Sequence, residues 1–123
     1  NDTKTIMAQK YIPEIKDGDK RIHLIFGKHV DMALARVPSE EDHRGNLVMG
    51  AIGEVRKLTR RDKEICNEIG GTLLKAGVYF AGIDVIGDYL SEINITSPTG
   101  MREISKNSEV NVSDLFFKSL QKN

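Results

Sequence analysis

Asp84, Glu92 and Asn94 lie in the run GIDVIGDYLSEINITSPTG, from Gly82 to Gly100, and carry three hard oxygen donors within reach of one another. Successive side chains of a strand alternate between faces. With Gly87, Asp88 and Tyr89 as a three-residue hairpin loop with a bulge, Ile86 faces Leu90, Asp84 faces Glu92 and Gly82 faces Asn94. The three oxygens then share one face, and Ile83, Val85, Ile93 and Ile95 collect on the other, where a core would take them. A two-residue Gly87-Asp88 turn would shift the register by one and send Asp84 to the far side of Glu92, which is costly where one face is buried. Two carboxylates and an amide oxygen suit Mg²⁺, which takes one or two carboxylates together with water and substrate phosphates. On pattern alone, ordinary solvated side chains on the exposed face of a hairpin are the reading to beat. Zinc is not indicated, because Cys66 is the lone cysteine and His23, His29 and His43 have no ligand spacing.

A second pair of chemical groups stands upstream. Lys20 to Phe26 alternates in the manner of a strand, Gly27-Lys28 offers a two-residue turn, and Val30 to Val37 returns. Asp19 then faces Arg36 and Arg21 faces Leu34, so Arg21 and Arg36 share a face. Paired guanidiniums there would grip carboxylate or phosphate oxygens bidentately. Pairing of each arginine with a neighbouring Asp or Glu is the alternative. The connection PSEEDHRGNLVMGAIG, Pro38 to Gly53, is charged and then glycine-rich, and a loop of that length in a small domain is commonly functional or disordered. Arg44, Gly45 and Asn46 suit a lid, with Gly allowing close backbone approach and Arg supplying charge. An ordinary surface loop is the other reading.

The elements that must position these groups follow from periodicity. Thr5 to Gln9 reads as a short strand, Tyr11 to Gly18 as a turn, and Val55 to Leu58 as a strand. Thr59 with Asp62 three residues on resembles a capping box with Asp in place of Glu or Gln. A helix from Arg60 to Ala76 follows, with Ile65, Ile69, Leu73 and Ala76 as its apolar stripe, Cys66 beside them and Gly77 at its end. Gly70-Gly71 inside that helix implies close packing against the sheet. Strands over Val78–Ile86 and Leu90–Ile95 form the hairpin described above. A short helix from Met101 to Lys106, capped by Ser97 or Thr99, and a last helix from Val112 to Leu120, capped by Ser113, complete the chain. The class is α+β, an antiparallel sheet packed against helices.

A chain of 123 residues is one domain's worth, enough for a core but small for an enzyme that closes over several substrates. Its 18 basic and 18 acidic residues balance, so no global field recruits nucleic acid or an anionic membrane. No apolar run reaches the length of a membrane span, and no segment of these residues reads as a signal peptide. One cysteine cannot form an internal disulfide, which fits a reducing cytoplasm. The start, NDTKTIMAQKYIPEI, lacks an initiator Met and opens directly into strand-like sequence, as a piece of a longer chain would.

Taken together, MAQKYIPEIKDGDKRI, ALARVP, RGNLVMG and GIDVIGDYLSEINITSPTG resemble, in order and spacing, the carboxyl-terminal part of bacterial-type glutathione synthetases, which are ATP-grasp ligases. The resemblance spans about residues 5 to 104. It implies that residues 1–123 are the carboxyl-terminal part of an ATP-grasp domain, with the amino-terminal domain and the first ATP-grasp portion expected before residue 1. It implies ligation of γ-glutamylcysteine to glycine through an acyl phosphate, with ATP as co-substrate. Asp84, Glu92 and Asn94 would take the positions for Mg²⁺, or Mn²⁺ in its place, and Arg21 and Arg36 would be catalytic, holding substrate carboxylate or acyl phosphate. Ser97 and Thr99 match positions near the dipeptide. Arg44, Gly45 and Asn46 fall in the loop that keeps water from the acyl phosphate. The family resembled commonly shows Gly-Gly followed by a polar or basic residue at the end of that loop, whereas this chain has Gly50-Ala51-Ile52, a departure that bears on loop closure and on any basic contact there. The resemblance further implies a cytoplasmic, homo-oligomeric full-length enzyme, and a fragment inactive alone. Another ATP-grasp carboxylate–amine ligase, or a non-catalytic module that binds a nucleotide or partner, are the competing readings.

Overall fold

Arg21, Ile22, His23 and Leu24 are consecutive residues and all four are buried, which is possible only for a strand covered on both faces. They belong to β1 (Asp19–Ile25), the middle of the sheet. A computed structural model describes residues 5–39 and 52–122, so Arg44, Gly45 and Asn46 lie outside the described residues. A 3-10 helix (Pro13–Asp17) leads into β1, followed by β2 (Lys28–His29), β3 (Met32–Val37), β4 (Ile52–Lys57), α1 (Arg60–Lys75), β5 (Phe80–Ile86), β6 (Tyr89–Asn94), α2 (Met101–Lys106) and α3 (Val112–Lys122). The strand order is β4-β3-β1-β5-β6, with β2 added to β1 and all neighbours antiparallel. The molecule is α+β, as its periodicity indicates.

α1 covers one face. Ile22, Leu24, Ala33, Ala81, Ile83 and Val85 meet Leu58, Ile65 and Cys66, with Ile69 and Leu73 packed alongside. Burial pushes the Cys66 thiol up to about 12, and the Asp62 charge adds to this, so the group is an inert core residue. The helix starts where the capping box is expected: the Asp62 N–H donates to Thr59 Oγ1 at 3.1 Å and the Thr59 N–H to Asp62 Oδ2 at 2.9 Å. The buried Asp62 carboxylate also accepts from Lys20 Nζ at 2.6 and 2.7 Å, tying β1 to the helix. On the opposite face, Ile25 and Leu34 pack with Ile104 of α2 and Val112 of α3. No helix among the described residues is long and apolar enough to cross a membrane.

Several local expectations are corrected. Thr5–Gln9 forms no strand and is exposed. The first turn is Phe26-Gly27, both at positive φ, and not Gly27-Lys28. Leu24 pairs with His29 beside this turn, but Arg21 pairs with Leu34, so the return strand carries two extra residues. Those extra residues restore the Asp19–Arg36 pairing. The second hairpin makes the same kind of adjustment: Ile86 pairs with Tyr89 across a Gly87-Asp88 turn, and a bulge between Asp84 and Val85 restores Asp84 opposite Glu92. The two-residue turn and the expected site register are therefore compatible, because the extra residue, Ser91, absorbs the slip.

Ile93 and Ile95 are exposed rather than buried, 43% and 55%, since β6 is the sheet edge. Gly70 does approach something closely, but it is the Gly27 turn: a Cβ on Gly70 would lie 2.1 Å from the Gly27 carbonyl oxygen, whereas Gly71 has nothing within 4 Å. Gly100, at φ 104, precedes α2 without any side-chain cap from Ser97 or Thr99. At α3 the Asp114 N–H donates to Asn111 Oδ1 at 3.0 Å, so Asn111 takes the capping role expected of Ser113.

Candidate functional site

The sheet register writes a row of charges. Arg21 is opposite Asp84, Asp84 is opposite Glu92, and one step along Asp19 is opposite Arg36. Side chains complete what the backbone aligns. Arg21 Nε donates to Asp84 Oδ1 at 2.6 Å and Nη2 to Oδ2 at 3.2 Å. Arg36 Nη2 lies 3.0 Å from Asp84 Oδ1, while Arg36 also donates from Nε to Asp19 Oδ1 at 3.1 Å and from Nη2 to Oδ2. The order Arg21, Asp84, Arg36, Asp19 alternates in sign, and Arg21 and Asp84 are each 4% exposed. Both arginines thus have carboxylate partners. A buried ion pair of this kind adds little stability over an apolar pair of similar volume, yet loses several kcal/mol when one partner is removed.

The members feel the cluster differently. Burial outweighs the attraction of Arg36 and holds the Asp19 carboxyl above its usual value. For Arg36 burial acts to lower the pKa, but Asp84 and Asp19 on either side outweigh it and the value rises. The guanidinium therefore stays charged between two carboxylates, a rigid donor platform at the sheet surface.

Lone pairs determine which of the three oxygen donors are available to a cation. A carboxylate offers about four acceptor positions. Asp84 spends two on Oδ1 and one on Oδ2, which leaves it one position, on Oδ2. Glu92 is exposed and has no hydrogen bond or ion pair among the described residues, so both its oxygens are available. Asn94 Oδ1 accepts from the Thr96 N–H at 3.1 Å and the Ser97 N–H at 3.3 Å, with Thr96 Oγ1 at 3.4 Å, an Asx turn that occupies the amide oxygen. No group of three or more His, Cys, Asp or Glu is gathered for a metal among the described residues. The donor chemistry nevertheless fits a hard divalent cation: Glu92 would be the principal ligand, Asp84 a monodentate one, and Asn94 a ligand on yielding part of its turn.

After β6 the chain folds back over the sheet. Pro98 is buried, and it can lie there because residue 82 has no side chain: a Cβ on Gly82 would be 2.6 Å from Pro98 Cβ and 2.9 Å from Arg21 Cδ. The Thr99 carbonyl points inward, 3.2 Å from the Arg21 Nη1 donor and 3.0 Å from His23 Nε2. Ser97 and Thr99 are exposed, and their hydroxyls and the Thr99 N–H are not engaged among the described residues. The structure therefore brings Arg21, Arg36, Asp84 and Glu92 into one row and sets Asn94, Ser97 and Thr99 along its edge. Asp19 and His23 complete the arrangement. Period-two spacing from Arg21 is the sequence signal for both.

The family model for the prokaryotic glutathione synthetase, ATP-grasp domain, matches residues 1–109. The chain is 51% identical over 121 residues to a glutathione synthetase of Coxiella burnetii, and 53% identical over 121 residues to that of Nitrosomonas europaea. Each alignment takes in 98% of this chain and 38% of the relative, so the chain spans well under half the length of the curated relatives it matches. Among solved structures, the ATP-grasp ligase PsnB complexed with minimal precursor superposes with a TM-score of 0.58 at 17% identity, over 85% of this chain and 34% of that one. That likeness shows the fold alone.

Proposed function

Because the chain belongs to the prokaryotic glutathione synthetase ATP-grasp family, we propose that it forms the carboxyl-terminal part of an ATP-dependent ligase that joins γ-glutamylcysteine to glycine. The observation that carries this reading is the cross-strand row Arg21, Asp84, Glu92, with Arg36 on the same carboxylate and the 97–99 turn beside it. It combines, on one sheet face, fixed cations for an anionic reacting group and oxygen donors for a hard metal.

In this reading the dipeptide carboxylate accepts the γ-phosphoryl group of ATP, and the glycine amine then displaces phosphate from the acyl phosphate. Arg36, already committed to two carboxylates, orients and balances charge near the reacting carbon, and Arg21 holds Asp84 in place from beneath. Free Ser97 and Thr99 hydroxyls and the Thr99 N–H supply donors for the dipeptide. Glu92, Asp84 and Asn94 would hold Mg²⁺, which when bound neutralises phosphate charge. Arg44, Gly45 and Asn46 are assigned to exclusion of water. The compartment in this reading is the cytoplasm and the full-length enzyme a homo-oligomer.

The test uses the full-length protein. Phosphate release should require γ-glutamylcysteine and glycine together, with glutathione as product; equal turnover with another amine in place of glycine would replace glutathione synthesis by a different carboxylate–amine ligation. Glu92→Gln should lower kcat by roughly 100-fold or more, about 2.7 kcal/mol, with the urea midpoint unchanged because Glu92 is exposed. Near-normal turnover in that variant would sink the metal assignment.

A further inference from the structure

His23 is completely buried, stacks on Phe80 with ring centroids 5.6 Å apart, and is absent from the reading above. Its Nε2 lies 3.0 Å from the Thr99 carbonyl oxygen. A carbonyl only accepts, so Nε2 carries the proton and, in the neutral ring, Nδ1 is the bare nitrogen; Nδ1 is indeed buried with no partner among the described residues. An orphaned buried acceptor is a standing cost of about 1–3 kcal/mol. An aliphatic side chain would fill the same place without it, so packing alone does not explain a histidine here.

What the imidazole achieves is a second hold on one carbonyl. Arg21 Nη1 reaches the same Thr99 oxygen at 3.2 Å, and Arg21 is itself bound through Nε and Nη2 to Asp84. The other end of the turn is held by Asn94 through the Thr96 and Ser97 N–H groups. The segment from 96 to 99 is thus pinned at both ends, its middle resting on Gly82 through Pro98, while its remaining donors face outward. With the carbonyl turned in, the Thr99 side chain is turned out.

We propose that His23 is a positioning residue for the carboxylate-bearing substrate: as a neutral Nε2–H donor it fixes the Thr99 carbonyl inward and so aims the Ser97 and Thr99 donors at the dipeptide. This rests on the ligase reading for the identity of the substrate, but not for the clamp itself. Burial, foremost, lowers the His23 pKa to about 4, which keeps the ring neutral through the working pH range.

Full-length protein carrying His23→Leu, which keeps an apolar filler and loses the donor, is compared with His23→Gln, which keeps a neutral donor. In His23→Leu the KM for γ-glutamylcysteine should rise about 5- to 10-fold, the scale of one hydrogen bond, with the KM for ATP and kcat within about 2-fold. His23→Gln should restore most of the loss. Hydrogen exchange of the backbone amides from Thr96 to Met101 is followed in parallel, and should quicken in Leu but not in Gln. If both variants leave the dipeptide KM and the exchange unchanged, or if Leu raises both KM values alike along with a lowered urea midpoint, the residue is only a core filler and the proposal is overturned. Should the wild type show no turnover that depends on γ-glutamylcysteine, the ligase reading fails, and the exchange comparison alone decides the clamp.

Discussion

Along β1, Ile22 and Leu24 face α1 while Arg21 and His23 face the turn at Thr99, and none of the four is more than 4% exposed. Burial is the same on both faces, but the way it is satisfied is not. The α1 face is filled by aliphatic contacts, with the Lys20–Asp62 pair at its margin. The other face has an apolar half under α2 and α3 and a charged half in which, among the described residues, Arg21 and Arg36 are each bonded to carboxylates. Aliphatic packing contributes stability in proportion to the area it buries. The charged half contributes little net stability and instead holds guanidiniums and carboxylates at fixed positions, as the proposed phosphoryl chemistry would require.

Substitutions on the two faces should therefore separate stability from activity. The largest effect is expected from Arg21→Met, which leaves Asp84 buried with Arg36 as its remaining partner. In the full-length protein we expect a loss of about 3–5 kcal/mol by urea denaturation, with turnover abolished. Adding Asp84→Leu to that variant should recover most of the stability and none of the activity; a double variant as unstable as the single one would show that the charged half is not a paired unit.

The matching change on the α1 face is Ile83→Ala, at a fully buried position. It should cost about 3 kcal/mol for lost contacts and the cavity left behind. In the full-length protein its kcat per folded molecule should stay within about 2-fold, and a large drop in kcat at full folding would erase the distinction between the faces.

The third is a pH effect confined to the charged face, and only part of its ceiling is felt at any one pH inside the window. His23 has a folded pKa of about 4 against 6.5 when unconstrained, with Arg21 on its own strand, Asp84 on β5 and Glu103 on α2 as the charges around it. Between those values the unfolded chain binds more protons than the folded one, so stability rises with pH across the window. The contribution is complete above pH 6.5 and is lost as pH falls toward 4, with a ceiling of about 3 kcal/mol. Wild type minus His23→Leu, measured as urea-unfolding free energy from pH 7 to 4, should display that slope. Parallel curves would mean that His23 does not titrate with folding.

Much of this arrangement was legible from spacing. Asp84 opposite Glu92, Gly82 opposite Asn94 and Asp19 opposite Arg36 all follow from period-two alternation and recur in the structure. The turns were not legible. Both hairpins use a two-residue turn whose register, carried straight along the strands, would give the wrong partners, and both are put right by extra residues on the return strand. A bulge leaves no strong mark in composition, because almost any residue can occupy it, as Ser91 does here. The exposure of Ile93 and Ile95 departs from the alternation for a related reason: alternation says which face a side chain is on, but not whether anything covers that face.

By itself, then, the amino-acid sequence determined the class, the α1 capping box, the apolar stripe from Ile65 to Leu73 and which charged residues of each hairpin share a face, since each depends on neighbours a few residues apart or on the pleat of a strand; the joining of the two hairpins into one charged row came from the pairing of β1 with β5. Only the tertiary structure decided how the charges are shared out. Asp84 lies between Arg21 and Arg36, Asn94 turns its oxygen to the chain that follows it, and His23 grips Thr99 from across the sheet. Those choices are made by side-chain reach and competition for lone pairs among residues far apart in the chain, and period and propensity carry no information about either.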